Sequence, residues 1–266
     1  MSDINISIPG GEKKRLLTGG KYCPDDIVVE AESGDAEAAF EAGRKAEYDA
    51  FWGNFFINSD NFAWRFAGYG WNDHTFNPDR DIMFYERAAN YCFANNMITD
   101  LEAILKRNNV VLDTSRTARL DYIFSYSNHL TCVPEIVIGK NCLNIYYMFN
   151  ECTALRTIRK LTFPDKTFNT NYVFYKCLAL EEITIGGTIG CNGLDLRWST
   201  KLNKASITSF INALSATTSG FSITFSETAV SNAFESSSGV ADGSTSAEWL
   251  DLIATKPNWT IALATA

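Results

Sequence analysis

Phe149-Asn-Glu-Cys152-Thr-Ala-Leu155 is matched twenty-five residues later by Phe174-Tyr-Lys-Cys177-Leu-Ala-Leu180, so F-x-x-C-x-A-L occurs twice in one register. One period earlier, Phe124-Ser-Tyr-Ser127-Asn-His-Leu130 keeps the phenylalanine and leucine and sets Ser127 where the cysteine falls. A looser first unit begins at Phe93 and continues through Ile98 and Leu101. A segment this short cannot close a core alone, and units recurring at a fixed period bury their apolar faces against one another. Phe, Cys and Leu spaced by three share one face of a short helix or tight helical turn, and a small Cys or Ser lets adjacent units approach closely.

After each leucine comes an extended run of alternating apolar residues: Val133, Ile136 and Ile138; then Ile158, Leu161 and Phe163; then Ile183 and Ile185. Such runs suit half-buried strands. The expected arrangement is a parallel stack with neighbours about 4.8 Å apart, four or five units making a slab roughly 20 Å long. Thr131, Arg156, Thr157, Glu182 and Thr184 would line its outer face. Further on, the pattern predicts a helix over 205–214, a strand over 221–225, a helix over 247–253 and a strand over 259–263, with Trp249 and Trp259 closing the core.

Ahead of the repeats, Ile4, Ile6 and Ile8 run into Pro9-Gly10-Gly11, and Gly19-Gly20 separates Leu16-Leu17 from Ile27-Val28-Val29, which reads as strand, turn, strand. So small a β module needs something to pack on, and attachment is its expected role. Ala36, Ala39, Phe40, Gly43, Ala46, Ala50, Phe51 and Phe55 then fall on one stripe of a helix capped by Ser33 or Asp35. Its small residues fit either a short symmetric coiled coil, making a homo-oligomer through residues 1–57, or an amphipathic helix lying on its own domain. Residues 58–92 are aromatic and irregular. Either they cap a core, or Trp64, Tyr69, Trp71, Asp73 and His74 form a ligand platform in which ring faces give contact area and polar groups fix orientation.

The expected fold class is therefore an α/β repeat solenoid, a stack of short strands and helical turns preceded by a small β module and one helix. The expected divisions are an attachment module over 1–34, a helix over 35–57, an aromatic-rich cap over 58–92, the repeats over 93–200, and C-terminal helix–strand repeats with a cap over 201–266.

Charge and composition exclude several functions. Lys and Arg total 23 against 31 Asp and Glu, and a net charge of -8 repels a phosphate backbone, so no nucleic-acid partner is expected. No apolar run reaches eighteen residues and the opening lacks the pattern of a signal peptide, so neither membrane insertion nor a secretion leader is expected. Seven cysteines without a C-x-x-C pair argue for buried apolar side chains and for no metal. Proton-transfer chemistry has only His74 and His129 to draw on; the adjacent pairs Asp25-Asp26 and Glu181-Glu182 face opposite ways in a strand, and no glycine-rich phosphate loop occurs. No catalytic residue and no cofactor is expected.

The F-x-x-C-x-x-L units, with Phe93, Phe124, Leu130, Phe149, Cys152, Leu155, Phe174, Cys177 and Leu180 as their structural positions, resemble the cysteine-containing leucine-rich repeats of the BspA-like type. Such repeats occur in bacterial surface proteins and in phage or prophage tail-associated proteins, and the resemblance covers about residues 93–266. The opening is similar to N-terminal segments of tail proteins from phages of Gram-positive gut bacteria, through Ile8-Pro9-Gly10, Leu16-Leu17-Thr18-Gly19-Gly20-Lys21-Tyr22-Cys23 and Phe66 to Asp73. The resemblance implies a non-enzymatic structural or binding protein of a virion, assembled in the host cytoplasm, whose partners are other tail proteins or a host-surface protein or glycan. The alternative is a bacterial cell-surface adhesin-like protein. A glycan-active enzyme, the remaining reading, requires two facing carboxylates roughly 5–10 Å apart in a deep pocket.

Overall fold

The computed structural model describes residues 4–6, 14–16, 72–74, 76, 78, 82–85, 91–234 and 243–266. The helix expected over 35–57, the strand expected at 27–29 and most of the aromatic segment 58–92 lie outside these residues. The chain divides into two compact units, Met1–Ala50 and Phe51–Ala266. In the first, β1 (Ile4–Ile6) pairs antiparallel with β2 (Lys14–Leu16), Ile4 facing Leu16.

In the second unit, β3 (Ile82–Tyr85) is followed by α1 (Leu101–Arg107), β4 (Leu112–Arg116), β5 (Cys132–Val137), β6 (Thr157–Phe163), β7 (Glu182–Gly187) and β8 (Leu194–Leu196). Then come α2 (Lys204–Ala213), β9 (Phe221–Ser226), α3 (Glu227–Phe234), α4 (Ala247–Ala254) and β10 (Trp259–Ala264). Side-chain caps start the helices where the sequence supplies them: Asp100 accepts from Ala103 N at 2.8 Å, Asn203 from Ser206 N at 2.9 Å and Ser246 from Trp249 N at 3.2 Å.

This is not the leucine-rich-repeat solenoid of short strands and helical turns that the sequence predicts. Among the described residues the parallel strands fall into separate small sheets, β3-β4, β5-β6-β7 and β10-β9-β8, and no sheet runs the length of the chain or closes. Side chains interrupt the ladder at both ends of the central sheet. Between β4 and β5 the Thr114 hydroxyl both donates to Val137 O at 2.8 Å and accepts from Val137 N at 2.9 Å, taking the place of backbone pairing. Beyond β7, the segment one period on is helix α2 instead of a strand. Its Ser206 and Ser209 hydroxyls accept from Ile183 N at 2.9 Å and Ile185 N at 2.8 Å and so end the sheet. Close approaches between segments need glycine: a Cβ on Gly139 would lie 1.8 Å from Ser115 O, and Gly187 has φ +68° with its Cβ position 2.1 Å from Phe163 O.

The segments 121–126, 146–151 and 171–176 are not helical; they are turns carrying left-handed residues four apart, Tyr122 and Tyr126, Tyr147 and Glu151, Tyr172 and Lys176. Each such residue costs about 1–2 kcal/mol and persists only where the surroundings dictate it. Hydrogen bonds between turns do so. The N–H groups of Leu120, Tyr122, Phe124 and Tyr126 donate to the carbonyls of Asn144, Tyr146, Met148 and Asn150, and those of Ile145, Tyr147, Phe149 and Glu151 donate to Asn169, Asn171, Val173 and Tyr175.

The core is one continuous cluster of buried side chains from Phe76 to Trp259. Phe93, Phe124, Phe149 and Phe174 stack ring on ring at 5.5, 5.4 and 5.9 Å, and edge-on contacts carry the series through Phe210 and Phe225 to Trp249. Leu130, Leu155 and Leu180 are buried beside them. The recurrent small residue does more than make room: Ser127 Oγ donates to Phe93 O at 2.7 Å, Cys152 Sγ to Phe124 O at 3.0 Å and Cys177 Sγ to Phe149 O at 3.2 Å. A thiol or hydroxyl in each unit thus ties it to the unit before.

Candidate functional site

Two residues before each stacked phenylalanine stands a tyrosine: Tyr91, Tyr122, Tyr147 and Tyr172. The phenylalanine points into the core, so the left-handed tyrosine is turned to the edge of the turn ladder, where the four rings stack at centroid distances of 4.5, 5.0 and 4.7 Å. Tyr146 packs edge-on against this column at 4.2 Å from Tyr147 and 5.2 Å from Tyr122. Burial raises the pKa of Tyr91, Tyr122 and Tyr147, with the neighbouring tyrosines adding to the rise at Tyr122 and Tyr147, so these phenols stay protonated at neutral pH.

The column ends at Tyr172, because one period later the chain places Arg197 instead of an aromatic residue. Tyr172 is 50% exposed, with Tyr147 stacked on one face and Tyr146 and Tyr175 edge-on to the ring. It lines a cleft of about 460 Å³ together with Asn171, Tyr175, Asp195, Arg197 and Trp198. The volume lies within the roughly 300–1,000 Å³ of small-ligand sites. Tyr175 stands edge-on to both Tyr172 (5.8 Å) and Trp198 (5.4 Å), and Lys176 Nζ sits 5.2 Å from the Tyr175 ring centroid. Lys176 is itself held by Glu151 at 3.1 Å.

The polar side of the cleft is an ion pair between residues two apart. Asp195 accepts from Arg197 Nε at 2.8 Å and from Arg197 N at 3.0 Å, which holds the guanidinium of this lining residue against the carboxylate. Among the described residues the Arg197 Nη atoms and the Asn171 side-chain amide make no hydrogen bond. Gly193, also at the cleft, has φ +80° and nothing within 4 Å of its Cβ position, so the backbone there is uncovered.

Of the ligand platform read from the sequence, Asp73 and His74 are described, and neither lines this cleft. Trp64, Tyr69 and Trp71 are outside the described residues. Asp73 accepts from Thr99 N at 2.8 Å and from the Thr99 hydroxyl, and its carbonyl from Arg107, which is an anchoring role; His74 is exposed, its N–H bonded to Asn72 Oδ1. Of the expected outer array, Arg156, Glu182 and Thr184 are exposed while Thr131 and Thr157 are half-buried. The F-x-x-C-x-x-L alignment does not include these tyrosines; Y-x-F at 91, 122, 147 and 172 is the sequence signal of the column.

Other clusters are structural. Glu102, on the first turn of α1, bonds Lys106, Arg159 and, at 3.2 Å, the Cys132 thiol. Burial pushes its pKa up, but these partners outweigh burial and bring it down to about 2. No three His, Cys, Asp or Glu side chains among the described residues are placed to hold a metal ion, and no described helix is long and apolar enough to cross a membrane. No family model, curated protein or solved structure matches the chain.

Proposed function

We propose that this chain is a non-enzymatic binding protein, tail-associated in a phage or prophage, that meets a host-surface ligand through its tyrosine edge and the cleft at its end. The observation that carries the reading is Tyr172: an aromatic ring half exposed at the end of a stacked column, beside Trp198 and an ordered ion pair. A large ring held by its neighbours offers contact area without loss of side-chain freedom on binding. The similarity of residues 8–23 and 66–73 to tail-protein openings supports the setting. Binding of fluorescently labelled full-length protein to Gram-positive gut bacteria tests the reading. The Tyr172→Ala/Trp198→Ala variant, folded by circular dichroism, is expected to bind at least tenfold less; unchanged binding rejects the edge as the contact surface.

A further inference from the structure

We infer that the cleft at Tyr172 takes a neutral pyranose ring, the exposed sugar of a surface glycan; this rests on the binding role proposed above and names its ligand class. Three features of the cleft carry the inference. Aromatic surface from Tyr172 and Trp198 lines it, and an apolar C–H face of a pyranose packs on such surface with release of water. Its charges balance: one carboxylate and one guanidinium, paired to each other, with side chains 35% and 41% exposed. An anion drawn to Arg197 meets Asp195 a few ångströms away, and a cation meets the reverse, so neither gains a net field. Adjacent hydroxyls of a sugar satisfy both at once, one donating to the Asp195 carboxylate and the next accepting from an Arg197 Nη.

The donor and acceptor groups are also set in advance. Asp195 holds Arg197 through Nε, so the Nη atoms of this cleft-lining side chain keep their donors for a ligand, and Asn171 adds an amide able to donate and accept. The site is half open, which suits one ring at the end or branch of a longer chain and an affinity in the millimolar range for a single sugar.

Saturation-transfer NMR on the full-length protein tests this with methyl α-glucopyranoside, methyl β-galactopyranoside, methyl α-rhamnopyranoside and N-acetylglucosamine. Inorganic phosphate and N-acetylglycine serve as anionic probes. At least one neutral pyranoside is expected to give ring-proton signals that fall at least tenfold in Tyr172→Ala and in Asp195→Asn and are unchanged in Leu143→Ser, a substitution at an exposed position outside the cleft. Trp198→Ala provides a second aromatic variant should Tyr172→Ala lose its fold. The inference is overturned if none of the four sugars gives a signal, if the signal survives the cleft substitutions, or if phosphate or N-acetylglycine displaces the sugar where equal chloride does not. Loss of cell binding in the double variant with no sugar signal would sink the sugar class alone and leave the binding edge standing.

Discussion

Exchanging Cys152 tests whether the recurrent thiol is a hydrogen-bond donor between units or only a small filler. Its side chain is fully buried and donates to Phe124 O, which also accepts from Ser127 N at 3.1 Å, so removing the thiol does not orphan the carbonyl. Cys152→Ala then loses one net hydrogen bond, about 0.5–1.5 kcal/mol, and opens a cavity near the size of a methyl group, about 1 kcal/mol. The sum is about 2 kcal/mol. Cys152→Ser keeps a donor, and Ser127 one unit earlier makes the same bond at 2.7 Å, so the cost is expected to stay below about 1 kcal/mol. Cys152→Val removes the donor and adds a methyl between packed turns, for about 2–4 kcal/mol in all. Urea unfolding of the full chain followed by circular dichroism reads the order Ser, Ala, Val directly. A serine variant as damaged as the valine one, or a harmless valine, would refute the donor role.

Phe149 stacks on rings both above and below, whereas buried Phe163 has, among the described residues, one ring neighbour at 6.4 Å. Phe149→Leu is therefore expected to cost about 1 kcal/mol more than Phe163→Leu, the worth of one additional stacked pair, by the same unfolding measurement. The depressed pKa of Glu102 means that its contribution is present above about pH 4.5 and lost as pH falls toward 2. Glu102→Gln should flatten that part of the pH–stability profile and leave the slope above pH 5 unchanged. Burial raises the thiols of Cys132, Cys152 and Cys191 to about 12, and it also raises those of Cys142 and Cys177. Iodoacetamide at pH 7.5 should leave these five unmodified in the native protein and label all of them in urea, as mass spectrometry of the digested chain will show.

The tandem phenylalanines, the small residues three places on and the leucines that follow were legible in the chain because each recurs at the same spacing and each is apolar or small. Period and burial therefore coincide at Phe124, Phe149 and Phe174. The C-terminal elements were legible for a similar reason: helical spacing around Phe210 and strand alternation around Ile223 are local patterns. What the pattern could not carry is whether a backbone edge continues or stops. Thr114, Ser206 and Ser209 end the central sheet through hydroxyls that reach across 23 to 24 residues, and a threonine or serine in sequence carries no mark of that reach.

The candidate site follows the same division. Sequence alone determined that a tyrosine stands two places before each stacked phenylalanine and that Arg197 breaks the 25-residue spacing of Tyr122, Tyr147 and Tyr172. Only the folded chain decided that four such rings form one column, because stacking depends on left-handed turns imposed by neighbouring units. The cleft depends equally on the fold: Tyr172 and Trp198 are 26 residues apart and come to line one cleft, each edge-on to Tyr175, only because the segments pack together.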